Sequence, residues 1–293
     1  MSQFNWIGKS QDGKTVTLKS LEDDFEIASG VSPKWIAENK ELIRTGAVLD
    51  TETTGLKKSD EIIEIALRTF QFNKNTGELI ALLDTYSALQ EPSSPLSFEV
   101  QKITGLTDYD LRGMKIDWSK VDGMLSTVDL IIAHNASFDR PFVEKKSSVS
   151  VTKPWACSHR QIDWTSKGLG SSKLELLSIY HGFFTNAHRA LNDVIALLHL
   201  LTMKTPNSEH PYLNELLTNA RKPMVKVSAL FSPFETKDKL KERGYSWDQT
   251  QKVWYKTLLK EDSETEIQWL ASIIYNGDFK GQIKDIPVIE NFK

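Results

Sequence analysis

Gly46-Ala-Val-Leu-Asp-Thr-Glu-Thr-Thr-Gly-Leu56 is the stretch whose reading decides the fold. Residues 46–50 form a short apolar run, and the Thr-Glu-Thr-Thr-Gly that follows marks a buried strand stopped by a turn. Asp50 and Glu52 stand two residues apart at the strand's end, so alternation sends both carboxylates to one face, roughly 7 Å apart. Such a pair can share a divalent cation. Alone, an Asp-x-Glu beside a turn is more often two solvated acids, and the surrounding chain has to decide.

Downstream, residues 62–72 and 79–89 are β-rich and separated by Asn73-Lys-Asn-Thr-Gly77, a hairpin signal. The core thus opens with three strands. Helical patterning follows near residues 98–103, 121–125 and 138–145, with the apolar run 130–133 inserted as a fourth strand. Residues 174–180 and 190–201 carry apolar side chains at helical spacing, the second long enough for a packed core helix. The expected fold class is α/β: a mixed sheet flanked by helices over residues 46–205, with a small α+β domain behind it.

Upstream, residues 15–27 predict a short strand pair and residues 33–43 a helix with Ser32 as N-cap, together an appendage over 1–45. At the other end, Thr205-Pro-Asn-Ser208 and Arg221-Lys-Pro223 interrupt the pattern and predict a linker over 206–223. Residues 224–293 then form the small domain, with a strand, helix, hairpin and helix over 225–275.

Composition narrows the function. With 293 residues, two domains, or one domain with appendages, are the starting expectation. No apolar run approaches the roughly 20 residues that span a bilayer, and residues 1–10 carry no secretory pattern, so no membrane association and a cytoplasmic setting are expected. Cys157 is the sole cysteine, which leaves no disulfide framework and no zinc spacing; it reads as a small buried side chain. The net charge of -3 hides a division: residues 219–260 hold ten Lys and Arg against four Asp and Glu, or +6, leaving -9 elsewhere. Separate acidic and basic regions suit an enzyme that holds cations in one part and a phosphate chain in another.

Two later segments make the opening pair specific. His134-Asn-Ala-Ser-Phe-Asp139 places a third acid just past the fourth strand, and His188-Arg-Ala-Leu-Asn-Asp193 opens the long apolar helix with a histidine and a fourth acid. On an ideal helix His188 and Asp193 would sit about 140° apart after a full turn, so His188 is expected just before the helix. His134 reads as structural.

In this order the three motifs resemble the DEDDh branch of the DnaQ-like exonucleases, which have the RNase H-like fold and include the proofreading subunit of bacterial replicative polymerases. The match spans residues 46–203 and includes Ile103-Thr-Gly-Leu-Thr107 and Trp155-Ala-Cys-Ser158. The resemblance implies a 3′-to-5′ exonuclease with two divalent cations, Mg²⁺ or Mn²⁺. Asp50 would bridge both, Glu52 and Asp193 complete one site, and Asp139 serve the other. His188 becomes the general base, since an imidazole can accept a proton at neutral pH; it separates this branch from the tyrosine-bearing one. Thr53, Thr54, Gly55, Leu56 and Asn135 become substrate-binding candidates, with Leu56 as a wedge against the last base. Four carboxylates suit the chemistry, because phosphodiester hydrolysis develops charge on both the attacking and leaving oxygens. The expected partner is nucleic acid with a free 3′ end, DNA favoured over RNA. An RNA-directed exonuclease and a noncatalytic nucleic-acid adaptor are the alternatives.

The C-terminal segment interleaves cations and aromatics in Thr236-Lys-Asp-Lys-Leu-Lys-Glu-Arg-Gly-Tyr-Ser-Trp247 and Lys252-Val-Trp-Tyr-Lys256. Such a surface suits a nucleic-acid-binding module, phosphates on the cations and unpaired bases on the rings. Trp247 and Trp254 are expected in the small domain's own core.

Overall fold

The computed structural model describes residues 10, 12, 14–21, 32–204 and 208–293. Two units separate, Met1–Ala220 with Phe292–Lys293, and Arg221–Asn291. The strands of the first unit are β1 (Lys19–Ser20), β2 (Ile43–Thr53), β3 (Ile62–Asn73), β4 (Leu79–Leu89), β5 (Leu130–Ala133), β6 (Trp155–Cys157) and β7 (Phe183–Phe184). Five of them form a sheet in the order β4-β3-β2-β5-β6, antiparallel among the first three and parallel across β2, β5 and β6. The β3–β4 hairpin closes through Asn73, whose backbone bonds Glu78 and Gly77 and whose side chain accepts from the N–H of Asn75. Gly77 is required there: its φ is +70°, and a Cβ would come within 2.4 Å of the Asn214 backbone nitrogen.

The helices of this unit are α1 (Pro33–Glu38), α2 (Phe98–Thr104), α3 (Asp108–Leu111), α4 (Trp118–Ser126), α5 (Ala136–Glu144), α6 (Ser148–Val151), α7 (Ser158–Gln161), α8 (Leu174–Tyr180), α9 (Ala190–Thr202) and α10 (Tyr212–Ala220). Strand alternation sorts them onto the two faces. Val48, Ala66 and Ile132 pack with Val194, Leu197 and Leu201 of α9, whereas Ala47, Leu49 and Ile131 pack with α4 and α5 through Val121, Leu125 and Val143. Helix α9 has no side-chain N-cap bond yet buries eight residues, so tertiary packing holds it. The result is the mixed sheet flanked by helices that the sequence pattern predicts.

Three expectations need correction. The helix expected over 33–43 starts as foreseen, with Ser32 accepting the Trp35 N–H, but ends at Glu38. The chain is pulled into the sheet instead, where the Leu42 carbonyl accepts the Lys74 N–H and Ile43 pairs with Asn73. The strand pair expected over 15–27 is replaced, in its described part, by β1 lying parallel to β7; residues 22–27 lie outside the described residues. The linker expected over 206–223 contains α10, which buries Leu213, Leu216, Leu217 and Ala220 in the α9-side core. Their spacing is helical, and the prolines that suggested a linker lie outside the helix.

The second unit is a four-stranded antiparallel sheet of β8 (Met224–Ala229), β9 (Ser246–Asp248), β10 (Val253–Leu259) and β11 (Gln282–Ile286), ordered β11-β8-β10-β9, with helices α11 (Lys237–Glu242) and α12 (Ser263–Trp269). Its core holds Val225, Val227, Leu240, Tyr245, Leu270 and Ile274. Strand β11 was not foreseen because, as an edge strand with its first four residues exposed, it carries no apolar run. Trp254 packs against the core as expected, but Trp247 is 46% exposed, a correction with consequences below. Among the described residues, no helix is long and apolar enough to cross a membrane.

Candidate active site

The site lies at the carboxyl ends of β2 and β5. Strand β2 pairs with β5 only through Val48 and runs on to Thr53, so Asp50 and Glu52 stand beyond β5's paired stretch. They share the strand face of Val48, toward α9. Thr51 points the other way, and there its N–H and hydroxyl donate to Oδ1 of Asp139 at 3.1 and 2.8 Å. Asp139 sits in the first turn of α5 and is buried, held by these two bonds against the strand. A tight reversal at Asn135, φ 90°, aims that helix at the strand end.

Asp193 lies in the first turn of α9, where the helix's positive end favours a carboxylate. Its Oδ2 accepts the backbone N–H of His188 at 3.1 Å. His188 is exposed, lies two residues before the helix begins, and adopts φ 63°. Ligand atoms of Glu52, His188 and Asp193 fall within 4.8 Å of one another.

Sequence reasoning overlooked Glu64. It lies opposite Glu52 on β3, 2% exposed, and receives Nε and Nη2 of Arg189 at 3.1 and 3.3 Å and the Ala190 N–H at 3.3 Å. The segment bearing His188 is therefore held at both sides, by Asp193 on His188 and by Glu64 on Arg189 and Ala190. A signal was present: one acid inside Ile62-Ile-Glu-Ile-Ala-Leu67, on the strand beside the Asp-x-Glu. We predict that Glu64→Gln lowers kcat about 10–100-fold, as loss of an outer hydrogen-bond partner does, with little change in KM. Steady-state kinetics with unaltered kcat would show that the Arg189 tie does not position His188.

The electrostatics are those of a crowded acid cluster. Burial, then the charges of Asp139, Asp193 and Glu52, raise Asp50 well above the usual carboxylate range. Burial, then Asp193 and Glu64, push Glu52 up to about 8. Burial carries Asp139 to about 7 against the pull of the Thr51 bonds, and Asp193 to about 7 against the His188 N–H. Arg189 is the cation that opposes this at Glu52. A hard oxygen donor set with this much uncompensated charge fits divalent cations such as Mg²⁺ or Mn²⁺.

A pH dependence follows. Folded-state pKa values raised above the ordinary range stabilise the cation-free fold fully below about pH 4, and that contribution is lost as pH rises through about 7 to 8. In chelator the melting temperature should fall between about pH 5.5 and 8.5, and Mn²⁺ should raise it more at the higher pH. A Mn²⁺ shift that is equal at both would contradict the cluster's coupling to cations.

The remaining sequence candidates separate. Leu56 is 86% exposed and does not pack in the core. Thr53 donates its hydroxyl to the Gly55 carbonyl at 2.6 Å, and Thr54 bonds Glu61 through both N–H and hydroxyl, so the turn is rigid. A Cβ on Gly55 would meet Oδ2 of Asp60 at 2.5 Å, so the Asp60 side chain would have to shift to admit one. Asn135 is exposed. His134 bonds Ser158 Oγ and the Ser172 carbonyl, both at 2.8 Å, and burial lowers its pKa to about 4. Because the carbonyl requires an N–H, Nδ1 must accept from Ser158, a structural tautomer. Cys157 is buried.

Asp50 and Glu52 at the carboxyl end of β2, with Asp139 and Asp193 from the first turns of α5 and α9, make an acid cluster of the kind that suits cation-assisted hydrolysis. The chain belongs to the RNase T exonuclease family, whose model matches residues 47–201, and is a DnaQ-like exonuclease. It is 30% identical over 191 residues to the DNA polymerase III subunit epsilon of Treponema pallidum, covering 60% of this chain and 83% of that one. It is 37% identical over 106 residues to the PolC-type DNA polymerase III of Listeria welshimeri, covering 34% of this chain and 7% of that much longer protein. Among solved structures, exonuclease X in complex with 5′ overhanging duplex DNA covers 59% of this chain and 98% of its own, at 22% identity and a TM-score of 0.43.

Proposed function

We propose that this exonuclease acts on DNA, releasing nucleotides from a 3′ end with two divalent cations and His188 as general base. The observation that carries the reading is the meeting of Glu52, Asp193 and the exposed His188 within 4.8 Å, beside Asp50 and Asp139. DNA is favoured because the relatives matched are DNA polymerase III proteins.

Asp50, Glu52, Asp139 and Asp193 hold the cations, which when bound stabilise charge on the attacking and leaving oxygens. The tie to Thr51 fixes Asp139 through its Oδ1. His188, unburied and outside the helix, takes the proton of the attacking water at a ring nitrogen. The rigid turn of Thr53, Thr54 and Gly55 offers backbone groups to the terminal hydroxyl, exposed Leu56 lies against the last base, and Asn135 contacts the strand. A cytoplasmic setting agrees with the single buried cysteine.

The test is a panel of single- and double-stranded DNA and RNA incubated with Mg²⁺, Mn²⁺ or excess chelator. The reading expects cation-dependent release of mononucleotides, faster from DNA. Faster release from RNA would transfer the activity to RNA, and oligonucleotide binding without shortening would leave a noncatalytic adaptor.

A further inference from the structure

The second unit contains a groove of about 620 Å³, within the size range of ligand sites. Phe231 and Phe234 enter it from the loop after β8, and Trp247 and Trp254 from β9 and β10. Phe231 is 86% exposed, Phe234 75% and Trp247 46%. A single exposed aromatic is ordinary, but four rings around one groove are not. A small domain gains by burying its rings; here the loop turns two outward, with Phe231 at φ 55°.

Cations line the same groove. Lys237 lies 4.4 Å from the Phe234 ring and Lys241 6.0 Å from that of Trp254, while Lys252 stands at the β9–β10 turn at φ 52°. Among the described residues, Lys237 and Lys252 have no ion-pair partner, and Lys241 has only an exposed contact with Asp238 at 3.8 Å. No carboxylate lines the groove. The positive character is local: residues 221–291 hold twelve Lys and Arg against eleven Asp and Glu, yet 219–260 alone carries +6.

We propose that this groove binds an unpaired nucleic-acid strand, with bases stacked on Trp247, Phe231 and Phe234 and phosphates on Lys237, Lys241 and Lys252. Charge complementarity selects a polyanion, and the rings select one whose base faces are free, which excludes a duplex. The proposal rests on the second unit alone and is independent of the catalytic reading.

The test uses the full chain in chelator, where strands are bound but not cut, with fluorescence anisotropy of a labelled oligothymidine. Two double variants, all at solvent-accessible positions, are compared with wild type: Trp247→Ala with Phe234→Ala, and Lys237→Ala with Lys252→Ala. Circular dichroism melting confirms that each is folded. The ring variant should lose about tenfold or more in affinity. The lysine variant, which removes two phosphate contacts from a single strand, should lower the slope of log affinity against log salt by about 1.4. A duplex of equal length should show no ring dependence. Wild-type affinity in both variants overturns the proposal and leaves the groove to a protein partner. A chain that binds through the groove but never shortens the strand contradicts the exonuclease reading, not this one.

Discussion

Asp50→Asn is expected to reduce nuclease turnover by about 10³-fold or more while raising the melting temperature in chelator. Both effects come from one change of charge. Asp50 stands among Asp139, Asp193, Glu52 and Glu64, which together with burial disfavour its ionised form. An amide of the same shape removes that repulsion from the cation-free fold but cannot supply the anionic ligand that cations require. Single-turnover kinetics and thermal melting of the same preparation check the pair. Lost activity with a lowered melting temperature would mean that Asp50 supports the fold rather than the chemistry.

His188→Ala is expected to lower kcat by about 10²–10⁴-fold with little change in KM. The Mn²⁺-induced rise in melting temperature should persist, because the four carboxylates remain. The second readout matters, since the ring of His188 lies within 4.8 Å of Glu52 and Asp193 and is placed to ligate as well as to accept a proton. Its exposure means that packing does not lock its side chain, although the backbone of the segment is tied. A variant that loses the Mn²⁺ shift along with activity would make His188 a ligand and end its role as base.

The sheet was legible because its strands carry strong local signals: the apolar run before Asp50, the Asn-Lys-Asn-Thr-Gly hairpin, and the run at 130–133. The site's acids were legible because each follows a strand or opens a helix whose pattern is clear. What escaped depended on tertiary contacts. Glu64 was hidden in an apolar strand because its meaning comes from Arg189, 125 residues away. Helix α10 was hidden by flanking prolines, although its buried face repeats at helical spacing. Trp247 has the size a small domain's core calls for, but composition cannot tell a ring that fills a core from one that lines a groove.

The most direct test of the account is the direction of degradation. A single-stranded DNA labelled at its 5′ end, incubated with Mn²⁺ and sampled over time, should yield a ladder of labelled products, each one nucleotide shorter than the last. Excess chelator should abolish the ladder. Immediate release of the labelled nucleotide, or a ladder that persists undiminished in chelator, would contradict a cation-dependent 3′-to-5′ exonuclease built on Asp50, Glu52, Asp139 and Asp193.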